Sequence, residues 1–239
     1  MISAAVIIPT TGRESLKRAY DSVINQSYTN VDPIVVADGV KEFGYALHKI
    51  RRDPEYKLHF NTGANHYYGH RIYGALPFLL PHDYVFYLDD DNEFHPDHVA
   101  TCIDLCETNG LDWCYSFREI YDGDTFVCND ECESLGKWPL WYNQAFGHIN
   151  TSCYCIKREV AVQIAPDWHR PLMINGKPVT NADTMVAQAL MRRYPRFDCT
   201  RKFSVKYRLG SREQTPKAEF FLKGNETYRM MHPEGLPWG

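Results

Sequence analysis

Residues 84–92, Tyr-Val-Phe-Tyr-Leu-Asp-Asp-Asp-Asn, set an apolar β-forming run directly before three carboxylates. Such a run wants both faces covered, as in the interior of a parallel sheet. Adjacent acidic side chains repel each other and lose hydration when buried without a countercharge. Both demands are met where a buried strand ends at a crevice that holds a cation, and the carboxyl ends of strands are where open α/β sheets bind ligands. A hard divalent ion, with the phosphates it bridges, is the chemistry that suits oxygen ligands there. The simpler alternative is an acidic helix cap ahead of Pro96, but a cap needs one such residue and three stand here.

The preceding sequence supports a sheet. Ala4-Ala5-Val6-Ile7-Ile8 is a fully apolar strand, and Leu16, Ala19, Tyr20, Val23 and Ile24 follow at helical spacing, with Thr11 and Glu14 spaced as a capping box. Ile34-Val35-Val36-Ala37 forms a second strand ending at Asp38-Gly39, and residues 57–60 a third ending at Asn61-Thr62-Gly63. A helix is expected from Gly69 to Leu80, ahead of the acidic strand. Strands alternating with helices every ~25 residues predict βαβ units and a parallel sheet with helices on both sides. Beyond Asp91 the pattern turns mixed. Helices are expected at 96–106, 158–164 and 183–193, the last capped by Asn181, and strands at 113–117, 125–128, 152–156 and 203–207. An aromatic loop carries Trp138, Trp141, Tyr142 and Phe146. The segment after Gly210, rich in Gly, Pro and charge, reads as an arm or lid.

With 239 residues, 44% apolar and 23% charged, the chain can bury one good core, which excludes disordered and collagen-like classes. One domain is expected over 1–239, with a first half to about residue 100, a second half over about 101–210 and an arm over about 211–239. A net charge of −4 gives no electrostatic footprint for nucleic acid. No stretch approaches a membrane span, although peripheral membrane contact stays open, and Met1–Thr10 lacks the pattern of a signal peptide, so a cytoplasmic location is expected. Of the eight cysteines, Cys102/Cys106 and Cys153/Cys155 fall on apolar stripes and read as core. Cys128 and Cys132 lack the second pair that a zinc site needs.

Four ordered features, Val6-Ile7-Ile8-Pro9-Thr10 with a helix behind it, the strand ending in Asp38-Gly39, Arg71-Ile72-Tyr73-Gly74, and Leu88-Asp89-Asp90-Asp91, resemble the nucleotide-diphospho-sugar glycosyltransferases of the GT-A fold, particularly the inverting family 2. The resemblance covers roughly residues 4–100. It implies an α/β, Rossmann-like, mostly parallel central sheet flanked by helices, with a mixed α/β acceptor half. It also implies a metal-dependent hexosyl- or deoxyhexosyltransferase that uses Mn²⁺ or Mg²⁺ to move a sugar from a nucleotide donor, foremost a UDP-sugar, to a hydroxyl of a glycan or other acceptor. On this resemblance Thr10, Arg13, Asp38, Arg71, Asp89 and Asp90 serve the donor. Asp91 is the main metal ligand, with Asp89 and the tail residue His232 beside it. The family's general base, an acid at the start of a helix in the second half, maps onto Asp183, although Ala182 replaces the acid that usually precedes it.

Trp138, Trp141 and His148 are the acceptor-side candidates, since sugars present apolar faces to rings and polar edges to their neighbours. They can equally be packing between the halves. Two other readings stand beside the enzyme. A sugar nucleotidyltransferase would show a Gly-rich first loop, where 9–13 has one glycine. A non-catalytic nucleotide-sugar-binding module would explain Ala182 but has little use for intact Asp89 and Asp91.

Overall fold

The computed structural model describes residues 1–39, 58–62, 67–143, 146–170, 172–174, 177–179, 182–210 and 216–239. Its first unit is β1 (Ala4–Thr10), α1 (Leu16–Ile24) and β2 (Val31–Asp38). Every residue of β1 is buried because strands cover both edges and helices its faces. Leu16, Ala19, Tyr20 and Val23 form the buried stripe of α1. The helix begins after Thr11 and Glu14, so the expected capping box does not form, and Thr10 Oγ1 instead accepts from the Gly12 amide at 2.9 Å.

Next come β3 (Leu58–Thr62), a 3₁₀ turn at Tyr67–Gly69 and α2 (His70–Ala75). The expected helix to Leu80 breaks after Ala75 into a second 3₁₀ turn, Leu76–Phe78, because Pro77 cannot donate to the helical ladder. Gly69 has φ +78°, and a Cβ there would lie 2.8 Å from Pro9 Cβ, so only glycine lets α2 start against the end of β1. β4 (Tyr84–Tyr87) follows, then β5 (Glu93–Phe94), α3 (His98–Asn109), β6 (Trp113–Asp122) and β7 (Thr125–Asn129). After a long loop come a 3₁₀ turn at Thr151–Cys153, β8 (Tyr154–Lys157) and α4 (Arg158–Gln163). A turn at Ala165–Trp168, a small hairpin of β9 (Leu172–Ile174) and β10 (Lys177–Val179), α5 (Ala182–Arg193), β11 (Phe197–Arg208) and α6 (Ala218–Met231) complete the chain. Lys57, Gly63 and Asn181 lie outside the described residues.

Among the described residues nine strands form one sheet in the order β3-β2-β1-β4-β8-β6-β11-β5, with β7 on β6. Strands β3, β2, β1 and β4 run parallel, while β8 enters antiparallel between β4 and β6 and β11 returns parallel to β6. This is the α/β architecture expected, with a parallel first half and a mixed second half. The segment read as an arm contains the 14-residue α6, which buries Phe221 and Tyr228.

Candidate active site

The carboxyl ends of β1, β2 and β4 open on one edge of the parallel half. Leu88 prolongs β4 by donating its amide to Ile7 O at 3.0 Å, and the chain then turns, with the Asn92 amide on Asp89 O at 3.0 Å. This turn splays the three aspartates. Asp89 Oδ1 accepts from the Tyr73 hydroxyl at 2.9 Å, Asp90 Oδ2 from Thr10 Oγ1 at 2.6 Å, and Asp91 Oδ2 from Arg13 Nη1 at 2.7 Å. Arg13 Nη1 also lies 3.7 Å from Asp90 Oδ1, so one guanidinium serves two carboxylates. Asn92 and the Asp89 amide both donate to Ser152 Oγ, at 3.1 and 3.2 Å, and the Arg208 amide donates to Asn92 Oδ1 at 3.2 Å. Four elements far apart in sequence thus fix the turn.

Tyr73 is held beneath Asp89 by Tyr87 and Trp168, whose rings lie 5.3 Å from its own. Burial, then repulsion from Asp91 and Asp183, pushes the Asp89 carboxyl up to about 8. Asp90 is also raised by burial, with Thr10 and Arg13 opposing the shift. Burial and the neighbouring Asp89 push the Tyr73 phenol well above its ordinary range, so it stays a hydrogen-bond donor. Such a cluster favours any cation that can replace the protons.

The second half supplies Asp183, at the first turn of α5. Thr151 Oγ1 donates to its Oδ1 and the Tyr154 hydroxyl to its main-chain oxygen, the latter at 3.2 Å. One carboxylate oxygen is thereby oriented and the other faces away from Thr151. Asn150 caps the Thr151–Cys153 turn through the Ser152 amide, which places Thr151 on Asp183 and Ser152 under Asp89 from a single turn. His148 Nδ1 lies 3.4 Å from Thr184 Oγ1, next to Asp183 in sequence.

The other expected residues spread more widely. Asp38 ends β2 in register with Thr62 of β3. Arg71 is exposed, its guanidinium 4.3 Å over the Tyr67 ring, and it lines a cleft of about 660 Å³ with Phe78, Val162 and His169. Trp138 packs against Phe117 and Trp238, and Trp141 against Tyr142 and Phe220, so both face the C-terminal segment. His232 ends α6 with its ring 4.6 Å from Tyr228. Sequence reasoning missed Tyr73, Asn92, Thr151 and Ser152. The polar run Asn150-Thr151-Ser152 ahead of an apolar strand was the available signal.

The donor set fits a hard divalent ion. No three oxygens of Asp89, Asp90 and Asp91 come within 4.8 Å of one another among the described residues, so one or two carboxylates would hold it and diphosphate and water would complete the shell, which is how Mg²⁺-like ions bind.

The Glycosyl transferase family 2 profile matches residues 5–154, and the chain belongs to that family. TarS 1–349 from S. aureus, solved in complex with UDP-GlcNAc, is similar in structure with a TM-score of 0.66 at 13% identity, covering 98% of this chain. The mannosyltransferase PcManGT from Pyrobaculum calidifontis, in complex with GDP-Man and Mn²⁺, gives 0.58 at 15% identity over 88% of this chain. The chain spans 66% of that TarS structure and 58% of the mannosyltransferase. No curated protein matches the sequence.

Proposed function

We propose that this chain transfers a sugar from a nucleotide-diphosphate donor, foremost a UDP-sugar, to a hydroxyl acceptor, with a divalent cation and with inversion at the anomeric carbon. The observation that carries the reading is the meeting of Asp89, Asp90 and Asp91 at the end of β4 with Asp183 of α5, whose charge from the other half of the fold helps to raise Asp89. Bound there, Mn²⁺ or Mg²⁺ would supply Lewis-acid stabilisation to the departing nucleoside diphosphate.

The chain's own residues do the rest. Thr10, Tyr73 and Arg13 orient the three aspartates, and Arg13, which pairs with Asp91, would also be placed to meet the charge of a diphosphate. Asp38, at the end of β2, accepts a hydrogen bond from the base. Asp183 takes the proton of the acceptor hydroxyl through the oxygen that Thr151 leaves open, while Thr151 holds the carboxylate in position. His148, beside Thr184, lines the acceptor approach. The free thiols agree with a reducing, cytoplasmic setting, and among the described residues no helix is long and apolar enough to cross a membrane.

Asp183→Asn tests the assignment. Metal-dependent binding of the donor should persist within about threefold, while transfer falls by at least ~10²-fold, the contribution of a positioned general base. Unchanged transfer would remove Asp183 from the mechanism, and loss of both binding and transfer would place it on the donor side.

A further inference from the structure

Away from the carboxylates, three thiols meet inside the fold. Cys106 on α3, Cys114 on β6 and Cys155 on β8 are fully buried, and their sulfurs all lie within 4.8 Å of one another. Sheet register creates the meeting, because Cys114 and Cys155 are directly opposed in the antiparallel β6–β8 pair and α3 packs across both strands. Cys102, one helical turn before Cys106 on the same face, is also fully buried, and the Cys114 thiol donates to its carbonyl at 3.4 Å.

A buried thiol that only fills space behaves as a small hydrophobe, and burial raises its pKa. Cys114 and Cys155 follow that rule, both pushed well above the ordinary thiol range. Cys106 departs from it. The neighbouring Cys114 and Cys155 thiols hold it below the usual value, and the Lys157 ammonium adds to the effect. Three converging sulfurs are what a thiophilic cation takes over.

We propose that Cys106, Cys114 and Cys155, with Cys102 as fourth ligand, form a structural site for a thiophilic d¹⁰ cation, zinc foremost, separate from the carboxylate centre. In a tetrahedral zinc site sulfurs stand roughly 3.8 Å apart, so shifts on the order of 1 Å bring the Cys106, Cys114 and Cys155 sulfurs to that spacing, and rotation of the Cys102 side chain would supply the fourth. Each thiol that ligates releases its proton to solvent, no electron is transferred, and Lys157 offsets part of the negative charge. Hard and soft ions are sorted by ligand type, since Mn²⁺ and Mg²⁺ prefer the aspartates and zinc the sulfurs. The ion would tie α3 to the centre of the sheet.

The test uses the whole chain, reduced and stripped with a chelator, titrated with Co²⁺ in the presence of saturating Mg²⁺. The expected result is an intense sulfur-to-cobalt charge-transfer band that saturates at one equivalent, is bleached by Zn²⁺, survives Cys128→Ala and is lost in the Cys114→Ala/Cys155→Ala double variant. Absence of the band in the wild type, or its survival in the double variant, overturns the proposal. Should the double variant fail to fold, the wild-type denaturation midpoint decides: a rise with one equivalent of Zn²⁺ supports the site, and an unchanged midpoint overturns it.

Discussion

Replacing Asp89 with Asn should stabilise the metal-free protein while abolishing its response to metal. Burial and the carboxylates of Asp91 and Asp183 raise Asp89 from 3.8 to about 8. The folded chain therefore holds a proton there that the unfolded chain has lost, and stability falls as pH rises through the window from about 4 to about 8. At about 1.36 kcal/mol per unit, the three units between 3.8 and pH 7 set a ceiling of about 4 kcal/mol. Asp89 is half-buried, and the water that reaches it screens the repulsion to on the order of 2 kcal/mol. Asn keeps the shape and still accepts from Tyr73 but does not titrate. In urea denaturation with chelator present, Asp89→Asn should exceed the wild type by ~2 kcal/mol at pH 7. The gap should vanish near pH 4 and widen toward pH 8. Adding Mn²⁺ should raise the wild-type midpoint more at pH 8 than at pH 6 and leave the variant unmoved. A variant less stable than wild type at pH 7, or a gap independent of pH, would refute the claim that Asp89 is held against its charge.

Three further outcomes follow from the same geometry. Tyr73→Phe removes the hydroxyl that supports ionised Asp89, so metal-dependent donor binding measured by calorimetry should weaken ~10-fold at pH 7, roughly the worth of a hydrogen bond to a charged group, and recover partly at pH 9. Arg118→Met strands the fully buried Asp130, which Arg118 Nε meets at 2.8 Å, and should cost ~3–5 kcal/mol in urea denaturation; a cost under ~1 kcal/mol would show that the Glu133 and Ser134 amides suffice for Asp130. Gly136→Ala meets φ +62° and puts a Cβ 2.4 Å from the Tyr115 ring, so a loss of ~2–4 kcal/mol is expected, and a neutral result would mean that Tyr115 can give up its bond to Leu135 O.

How much of this was legible in the chain depends on how local the cause is. The strands β1, β2 and β4 announce themselves because they are apolar on both faces, and the acidic end of β4 is legible because three adjacent carboxylates have no cheap solution in a core. The helix α6 was hidden by Gly224, which looks like a helix breaker but is needed for closeness, since a Cβ there would lie 2.6 Å from Cys132 Sγ. Sheet register, which only the fold supplies, makes the remaining features. Arg13 meets Asp91 across 78 residues, and Tyr73 reads as one more apolar helix residue until Trp168 presses it under Asp89. The cysteines read as two separate core pairs, and only the β6–β8 pairing brings Cys114 between Cys106 and Cys155. The aromatic loop illustrates the converse: its composition suits a sugar platform, yet Trp138 and Trp141 spend their rings on Trp238 and Phe220.

The central claim is that the aspartates at the end of β4 hold a divalent cation together with a nucleoside diphosphate. Thermal unfolding of the purified chain with UDP or GDP, each with Mn²⁺ and with chelator, tests it directly. The account predicts that nucleotide raises Tm above the value with Mn²⁺ alone and does nothing in chelator, with a larger rise for UDP than for GDP and none in Asp91→Asn. Equal stabilisation by nucleotide in chelator, or none from either nucleotide with Mn²⁺, would contradict it.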